Sequence, residues 1–320
     1  MEPLDVSASD VEAAISVVRE VALKTPTISF RDDFGEVFLK LENLQRLGSF
    51  KIRGTWNRLS RLTAAERRRG VATISSGNHG LAVAWATKRL GLPCLVRVPE
   101  DANPRKVEAI MAHGATVQPM SRSDLVRVHE QELWRSWPQT FIHPFAHPAT
   151  IAGQGTIGYE LADDLPDVRT VLVPVGGGGL ASGIALTLRA IVPRVKVFGV
   201  QSEGAASLPE ALRTGRAHRI EDPQTIADGI RIGIILPPMA ELLTRHLDGA
   251  LLVSDDEIRR AMRRLAMEAK IIAEPAGAAA FAAWVRYRPQ LERPVAALVS
   301  GGNVDPRFLA RELEDAGSRP

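Results

Sequence analysis

Short apolar segments that suit β-strands alternate with longer segments that suit helices through most of this sequence. Between residues 70 and 140 the expected order is strand, helix, strand, helix, strand, over 71–74, 81–90, 94–98, 104–112 and 116–119. A second series begins at 171–174 and continues through the strands 197–200 and 295–299. Because parallel strands need a long crossover, usually a helix, this alternation predicts parallel sheets covered by helices. The predicted fold class is therefore α/β.

A helix is also expected near the start of the chain. Ser9 and Glu12 have the spacing of a capping box, and apolar residues follow at helical intervals until Thr25 and Pro26 end the pattern. Residues 37–42 then alternate as a strand does, and a further element begins between Gly48 and Gly54.

Length and composition limit the classes to which the chain can belong. Its 320 residues, 45% hydrophobic and 24% charged, are enough for two globular domains of ordinary size. Lys and Arg number 40 against 37 acidic residues, which gives no support to nucleic-acid binding. The single cysteine, Cys94, excludes a disulfide within the chain. No apolar run reaches the about 18 residues of a membrane span and no leader pattern is present, so a cytoplasmic protein without a membrane partner is expected.

Four consecutive glycines lie between a predicted strand and a predicted helix: Gly176, Gly177, Gly178 and Gly179. Backbone N–H groups there can close around an anion, so the run predicts a phosphate site. The same segment also fits a loose dinucleotide pattern that ends at Ala181, with Glu203 as a candidate ribose ligand. A nicotinamide oxidoreductase is therefore an alternative at this point.

Two further segments carry side chains suited to chemistry. Lys51 stands among apolar and small residues, and a partly desolvated lysine loses its proton more readily and can attack an aldehyde. The second segment follows the strand 71–74 and begins a helix, so its hydroxyl and N–H groups suit a carboxylate. Its residues are Ser75, Ser76, Gly77, Asn78 and His79.

Together these segments resemble the fold-type II pyridoxal-phosphate enzymes, whose fold is like that of the tryptophan synthase β-subunit. The resemblance is greatest to threonine dehydratases, serine dehydratases and serine racemases, and it extends over residues 8 to 310. It includes four more segments, at 151–156, 226–229, 274–277 and 300–303. The resemblance implies two open parallel-sheet, three-layer domains, and a homodimer. The large cofactor-binding domain would comprise residues 1–59 and 143–320, and residues 60–142 would form a small domain that closes over the substrate.

The resemblance also implies a role for each residue. Lys51 would hold pyridoxal 5'-phosphate as a Schiff base and, once released by the substrate amine, remove the α-proton. Phe50 would lie beside the cofactor ring, Asn78 would donate to its phenolic oxygen, and Ser300 would pair with its ring nitrogen. The glycine run would hold the phosphate. Ser76 matches the second acid/base of the racemases, and the segment 75–79 would bind the substrate.

The reaction implied by the resemblance is β-elimination, in which L-threonine or L-serine loses water and then ammonia to give a 2-oxo acid. A hydroxyl at the ring nitrogen, unlike a carboxylate, leaves that nitrogen uncharged and favours expulsion of a β-leaving group. The alternatives are a serine racemase and a dehydratase of another small β-hydroxy amino acid, such as 3-hydroxyaspartate or an intermediate of ectoine breakdown. A cofactor-bound sensor without turnover is a further alternative.

Two stretches depart from the family pattern. Gln201, Ala205 and Ser207 stand where cation-binding members carry acidic side chains, so no metal is expected, although Glu203 is close by. Residues 230–236 are unusually apolar, and they are expected to line either the substrate pocket or a subunit contact. Arg127 is interpreted as a surface residue.

Overall fold

The fold is taken from a computed structural model, which describes residues 4–314. Its α-helices are α1 (Ala8–Arg19), α2 (Lys51–Ser60), α3 (Ala64–Arg69), α4 (Asn78–Leu90), α5 (Pro104–Met111), α6 (Arg122–Glu130), α7 (Pro148–Asp164), α8 (Gly179–Ile191), α9 (Leu208–Thr214), α10 (Pro237–His246), α11 (Asp255–Met267), α12 (Pro275–Tyr287) and α13 (Pro306–Glu314). Its strands are β1 (Thr27–Asp32), β2 (Gly35–Leu41), β3 (Val71–Ile74), β4 (Cys94–Pro99), β5 (Thr116–Met120), β6 (Thr140–Phe141), β7 (Thr170–Pro174), β8 (Lys196–Ser202), β9 (His218–Arg219), β10 (Ile234–Ile235), β11 (Gly249–Val253) and β12 (Val295–Val299).

The strands form two open sheets and one short ribbon. The larger sheet has the order β1-β2-β12-β7-β8-β11, and the smaller has the order β5-β4-β3-β6. All neighbouring pairs in these two sheets are parallel except β1 and β2, which are antiparallel. The ribbon joins β9 and β10. The predicted α/β fold on parallel sheets is confirmed, with an antiparallel edge strand that was not predicted.

Helices cover both faces of the larger sheet. Val171 and Val173 of β7 are fully buried in one hydrophobic core, which also contains Ile184 of α8. Leu172, between them, is buried in a second core with Phe281 of α12. Because successive side chains of a strand point to opposite faces, this alternation shows a three-layer arrangement of helix, sheet and helix.

The smaller sheet comes from one continuous part of the chain, residues 71–141, and the larger sheet comes from the parts before and after it. This arrangement agrees with an inserted domain. The exact boundaries at residues 60 and 142 stay a prediction.

The first helix begins earlier than its sequence pattern indicated. The side chain of Ser7, not Ser9, caps α1, and the carboxylate of Asp10 accepts a hydrogen bond from the Ser7 backbone N–H at 2.9 Å. The predicted capping box of Ser9 and Glu12 is therefore wrong. The chain offers two serines two residues apart, and the earlier start gives a helix that buries Val11 on its inner face. The helix also ends at Arg19, before the predicted stop.

Within residues 4–314, no helix has both the length and the apolar character that crossing a bilayer requires.

Candidate active site

The beginning of α2 lies directly against the end of β12. The Gly302 N–H donates to the Gly48 carbonyl oxygen at 2.8 Å, and the Phe50 N–H donates to the Ser300 carbonyl oxygen at 3.2 Å. Ser49 forms a bridge with Gly301 between these two bonds. This backbone pairing joins two segments about 250 residues apart. It brings Phe50 and Lys51 next to Ser300.

Lys51 is the first residue of α2, and its side chain is partly buried. Its Nζ donates to the Pro144 carbonyl oxygen at 3.1 Å and lies 5.1 Å from the centroid of the Phe50 ring. Burial lowers the pKa of Lys51 to about 8, opposed by the carboxylate of Glu274. The neutral, nucleophilic amine is therefore far more abundant near neutral pH than it is for an exposed lysine.

The glycine run packs against Phe145, the residue after Pro144, whose carbonyl oxygen contacts Lys51. A Cβ atom placed on Gly177 would overlap the Phe145 ring, and one on Gly179 would be 2.7 Å from the Phe145 carbonyl oxygen. Gly178 precedes α8 with a φ of +93°, a conformation that favours glycine. The positions 177, 178 and 179 therefore require glycine, and the turn leaves backbone N–H groups at the start of a 13-residue helix. Such a helix start binds anions.

Asn78 begins α4 and is held at both ends of its amide. Its Nδ2 donates to Glu274 Oε1 at 2.7 Å, and its Oδ1 accepts from Asn303 Nδ2 at 2.7 Å. Burial raises the pKa of Glu274 to about 7. Sequence reasoning did not single out Glu274 as a site residue, although it begins the segment 274–277 that resembles the family.

The loop before α4 is folded on itself. Ser75 Oγ accepts from the Gly77 N–H at 3.2 Å, and Ser75, Ser76 and Gly77 are partly buried. The His79 ring is buried, with its Nε2 3.1 Å from the Ile142 carbonyl oxygen, and burial lowers its pKa to about 3. The neutral ring thus anchors the loop. Its predicted contact with substrate stays a prediction.

The sequence model of the family described as "Pyridoxal-phosphate dependent enzyme" matches residues 19–301. The chain belongs to this family. It is 40% identical to the L-threonine ammonia-lyase of Thermotoga maritima over 92% of this chain and 74% of that protein. Among solved structures, a threonine deaminase from T.th. has a TM-score of 0.84 at 35% identity, covering 93% of this chain and 99% of that one. The serine racemase of Dictyostelium discoideum has the same TM-score and identity, covering 94% and 99%.

The cofactor of this pyridoxal-phosphate dependent enzyme is accommodated by the residues present. Lys51 supplies an amine for the aldehyde, the glycine turn supplies N–H groups for a phosphate, and Asn78 Nδ2 keeps a second hydrogen beyond the one directed at Glu274. Glu203, the ribose ligand of the nicotinamide alternative, pairs instead with Arg286 at 2.7 Å. The nicotinamide alternative is wrong, because the chain belongs to the pyridoxal-phosphate dependent enzymes.

The first departure from the family pattern, at Gln201 and Ser207, lies in buried, hydrogen-bonded surroundings. Gln201 is almost fully buried, its Nε2 lies 3.3 Å from Ser207 Oγ, and its Oε1 accepts from the Leu208 N–H at 2.7 Å. Within residues 4–314, no group of three or more acidic, histidine or cysteine side chains is arranged to hold a metal ion. The absence of a metal stays a prediction.

The apolar stretch begins against the glycine turn. A Cβ placed on Gly176 would be 3.1 Å from Ile232 Cδ1 and 3.4 Å from Ile230 Cα. The start of the stretch therefore packs against the glycine turn, and its expected place in the substrate pocket or in a subunit contact stays a prediction. Arg127 is exposed and pairs with Asp124 at 2.8 Å, as expected of a surface residue.

Proposed function

We propose that this enzyme is an ammonia-lyase that converts L-threonine, L-serine or both into a 2-oxo acid and ammonia. The observation that carries the proposal is the partly buried Lys51. Its Nζ donates to the Pro144 carbonyl oxygen, and the next residue, Phe145, packs on the glycine turn. The named activity of the Thermotoga maritima relative, 40% identical, supports the substrate class.

When bound, pyridoxal phosphate supplies an aldehyde for attachment of an amine and a ring that withdraws electrons from the carbon beside that amine. Lys51 is the residue that we assign to hold the aldehyde. As a free amine, Lys51 would accept the α-proton, and its lowered pKa increases the neutral fraction of that amine near neutral pH.

Three further contacts complete the proposed site. The start of α4 binds the substrate carboxylate. The Ser75 and Gly77 N–H groups donate to the Arg97 carbonyl oxygen and to Ser75 Oγ, so the N–H groups of Ser76 and Asn78 are assigned to the carboxylate. Asn78 and Ser300 orient the cofactor ring beside Phe50, and the turn formed by Gly176, Gly177, Gly178 and Gly179 holds its phosphate. The β-hydroxyl leaves as one molecule of water, and one molecule of water is added later. The atoms therefore balance, and threonine yields 2-oxobutanoate and ammonium with no oxidant or reductant.

Racemisation of serine is a second candidate function. It is favoured by Ser76, a partly buried hydroxyl in the same loop, and by the likeness to the serine racemase of Dictyostelium discoideum at 35% identity. A hydroxyl on the face of the substrate opposite Lys51 would donate its own proton to the α-carbon, while Lys51 retains the proton that it removed, and the configuration would be inverted.

A panel of L- and D-serine and L- and D-threonine separates these functions. The purified, cofactor-loaded enzyme is assayed for 2-oxo acid, ammonia and the opposite enantiomer. We expect 2-oxo acid and ammonia in equal amounts from the L-substrates, and loss of both in Lys51→Ala but not in the control Lys88→Ala, a substitution on the outer part of α4. Enantiomer without 2-oxo acid would instead establish a racemase. Full activity in Lys51→Ala would contradict both functions.

We further propose a cytoplasmic homodimer without nucleic-acid or membrane partners. The net charge of only +3 supports the lack of a polyanionic partner. Exposed apolar side chains such as Leu23, Leu44 and Ile272 support a subunit contact. Light scattering after size exclusion should give twice the mass of one chain, and the mass of a single chain at micromolar concentration would contradict the dimer.

A further inference from the structure

Asn303 lies three residues after Ser300 and is exposed at the edge of the site. Its Nδ2 donates to two acceptors, the Leu47 carbonyl oxygen at 2.8 Å and Asn78 Oδ1 at 2.7 Å. Asn303 therefore connects the backbone just before the Lys51 segment with the side chain at the start of α4.

The first of these bonds determines the direction of the second. A backbone carbonyl can only accept, so the end of the Asn303 amide that faces Leu47 must be the NH₂ group. That group also faces Asn78, whose nearer atom must then be its oxygen. The Asn78 NH₂ group is consequently turned the other way, toward Glu274 Oε1, which accepts from it.

The amide orientations are thus determined from the Leu47 end of the chain of hydrogen bonds, where the acceptor is a backbone carbonyl. Glu274 Oε1 accepts at the other end. An Asn78 amide rotated by half a turn would place its NH₂ group against that of Asn303, at the cost of the hydrogen bond between them.

We propose that Asn303 is a positioning residue that turns the NH₂ end of Asn78 toward the cofactor ring. This inference rests on the proposed contact between Asn78 and the phenolic oxygen of pyridoxal phosphate. Because the phenolic oxygen is the acceptor, an Asn78 amide turned the other way would present an oxygen to an oxygen.

Gly48 provides the space for Asn303. A Cβ on Gly48 would overlap Asn303 Oδ1, and Gly48 has a φ of +70°. The Gly302 N–H donates to the Gly48 carbonyl oxygen at 2.8 Å, so the backbone beside Asn303 is itself held against this glycine. Asn303 follows a strand of the larger sheet and Asn78 follows a strand of the smaller one, so their hydrogen bond also aligns the two sheets at the site.

The test measures the visible absorbance of the cofactor-loaded enzyme without substrate, titrated from neutral to alkaline pH. The midpoint of that titration reports the hydrogen bonding of the lysine-bound cofactor. The variants are Asn303→Ala, Asn303→Asp, Asn78→Ala and the double variant Asn78→Ala with Asn303→Ala. Asn303→Asp keeps the shape of the side chain and removes its donors. Arg105→Ala is the control. Arg105 Nη1 lies 3.9 Å from Asp305 Oδ2, two residues after Asn303, and Arg105 takes no part in the hydrogen bonds that join Leu47, Asn303, Asn78 and Glu274.

We expect both Asn303 variants to move the midpoint in the same direction as Asn78→Ala, by about half of its shift or more. The double variant should shift no further than Asn78→Ala alone, since the two residues act through one contact. The control should keep the wild-type midpoint, and thermal unfolding of the cofactor-free variants should change by no more than a few degrees.

Two outcomes would overturn the inference separately from the function on which it rests. If Asn78→Ala shifts the midpoint and the Asn303 variants do not, or if the two shifts simply add, Asn303 does not position Asn78. If Asn78→Ala itself has no effect, the proposed cofactor contact fails and this inference fails with it.

Discussion

Arg53, two residues after Lys51, is almost fully buried and joins three elements of the chain. Its guanidinium donates to both carboxylate oxygens of Glu42 at 2.8 and 2.7 Å, and to Glu160 of α7 at 2.6 Å. The positive charge of Arg53 holds the pKa of Glu42 below its usual value although burial opposes this. The ion pairs fix α2 against α7, and with it the position of Lys51.

Replacement of Arg53 by methionine is expected to lower the free energy of unfolding by about 3–5 kcal/mol, because the buried Glu42 carboxylate loses its partner. The matched control is Arg31→Met, in an exposed ion pair with Glu36 at 3.1 Å, which should change the free energy by about 1 kcal/mol or less. Urea unfolding of the cofactor-free proteins measures both. Equal small effects would show that the network around Arg53 does not hold α2.

At the scale of elements, neutral imidazoles that are buried (His79, His143) or partly buried (His129, His147) lie around the segment that connects β6 with α7. Burial lowers the pKa of four histidines: His79 to about 3, His129 and His147 each to about 4, and His143 well below its usual value. In the unfolded chain these histidines bind protons below about pH 6.5. The unfolded state therefore takes up more protons as the pH falls, and stability is fully present above pH 6.5 and decreases toward pH 4.

The substitution His147→Asn should reduce this acid sensitivity. The His147 side chain caps α7 by accepting from the Ala149 N–H at 3.1 Å, and asparagine can keep that cap without titrating. The melting temperature of the wild type should fall between pH 7 and pH 4.5 by several degrees more than that of the variant. Equal losses in the two proteins would rule out a contribution from His147.

At the end of β8, where the family resemblance suggested a place for a divalent cation, the chain has a hydrogen-bonded glutamine. The buried Gln201 amide contacts Ser207 and the start of α9 without a charge to neutralise. Chelator treatment should leave the melting temperature and the activity of the wild type unchanged. Gln201→Glu introduces a charged oxygen ligand, and added calcium should raise its melting temperature but not that of the wild type. A wild-type melting temperature that falls by several degrees in chelator would refute the metal-free site.

For the whole molecule, periodicity predicted most of the parallel strands but missed β6 and β11, and short motifs predicted the residues that the fold brings together. The long-range contacts were not predictable in this way. Asn78 and Glu274 are 196 positions apart, and Asn78 and Asn303 are 225 apart, so no spacing in the sequence relates them. The edge strand β1 was missed because its place depends on antiparallel pairing with β2. The start of α1 was misplaced because two serines offered equivalent caps.

The central claim is that the Lys51 amine holds the aldehyde of pyridoxal phosphate. Borohydride reduction of the loaded enzyme, followed by digestion and mass spectrometry, tests it most directly, because reduction makes the carbon–nitrogen bond permanent. We expect the phosphopyridoxyl mass on the peptide that contains Lys51, and its disappearance in Lys51→Ala. Label on another lysine, or an unlabelled Lys51 in fully loaded protein, would contradict the account.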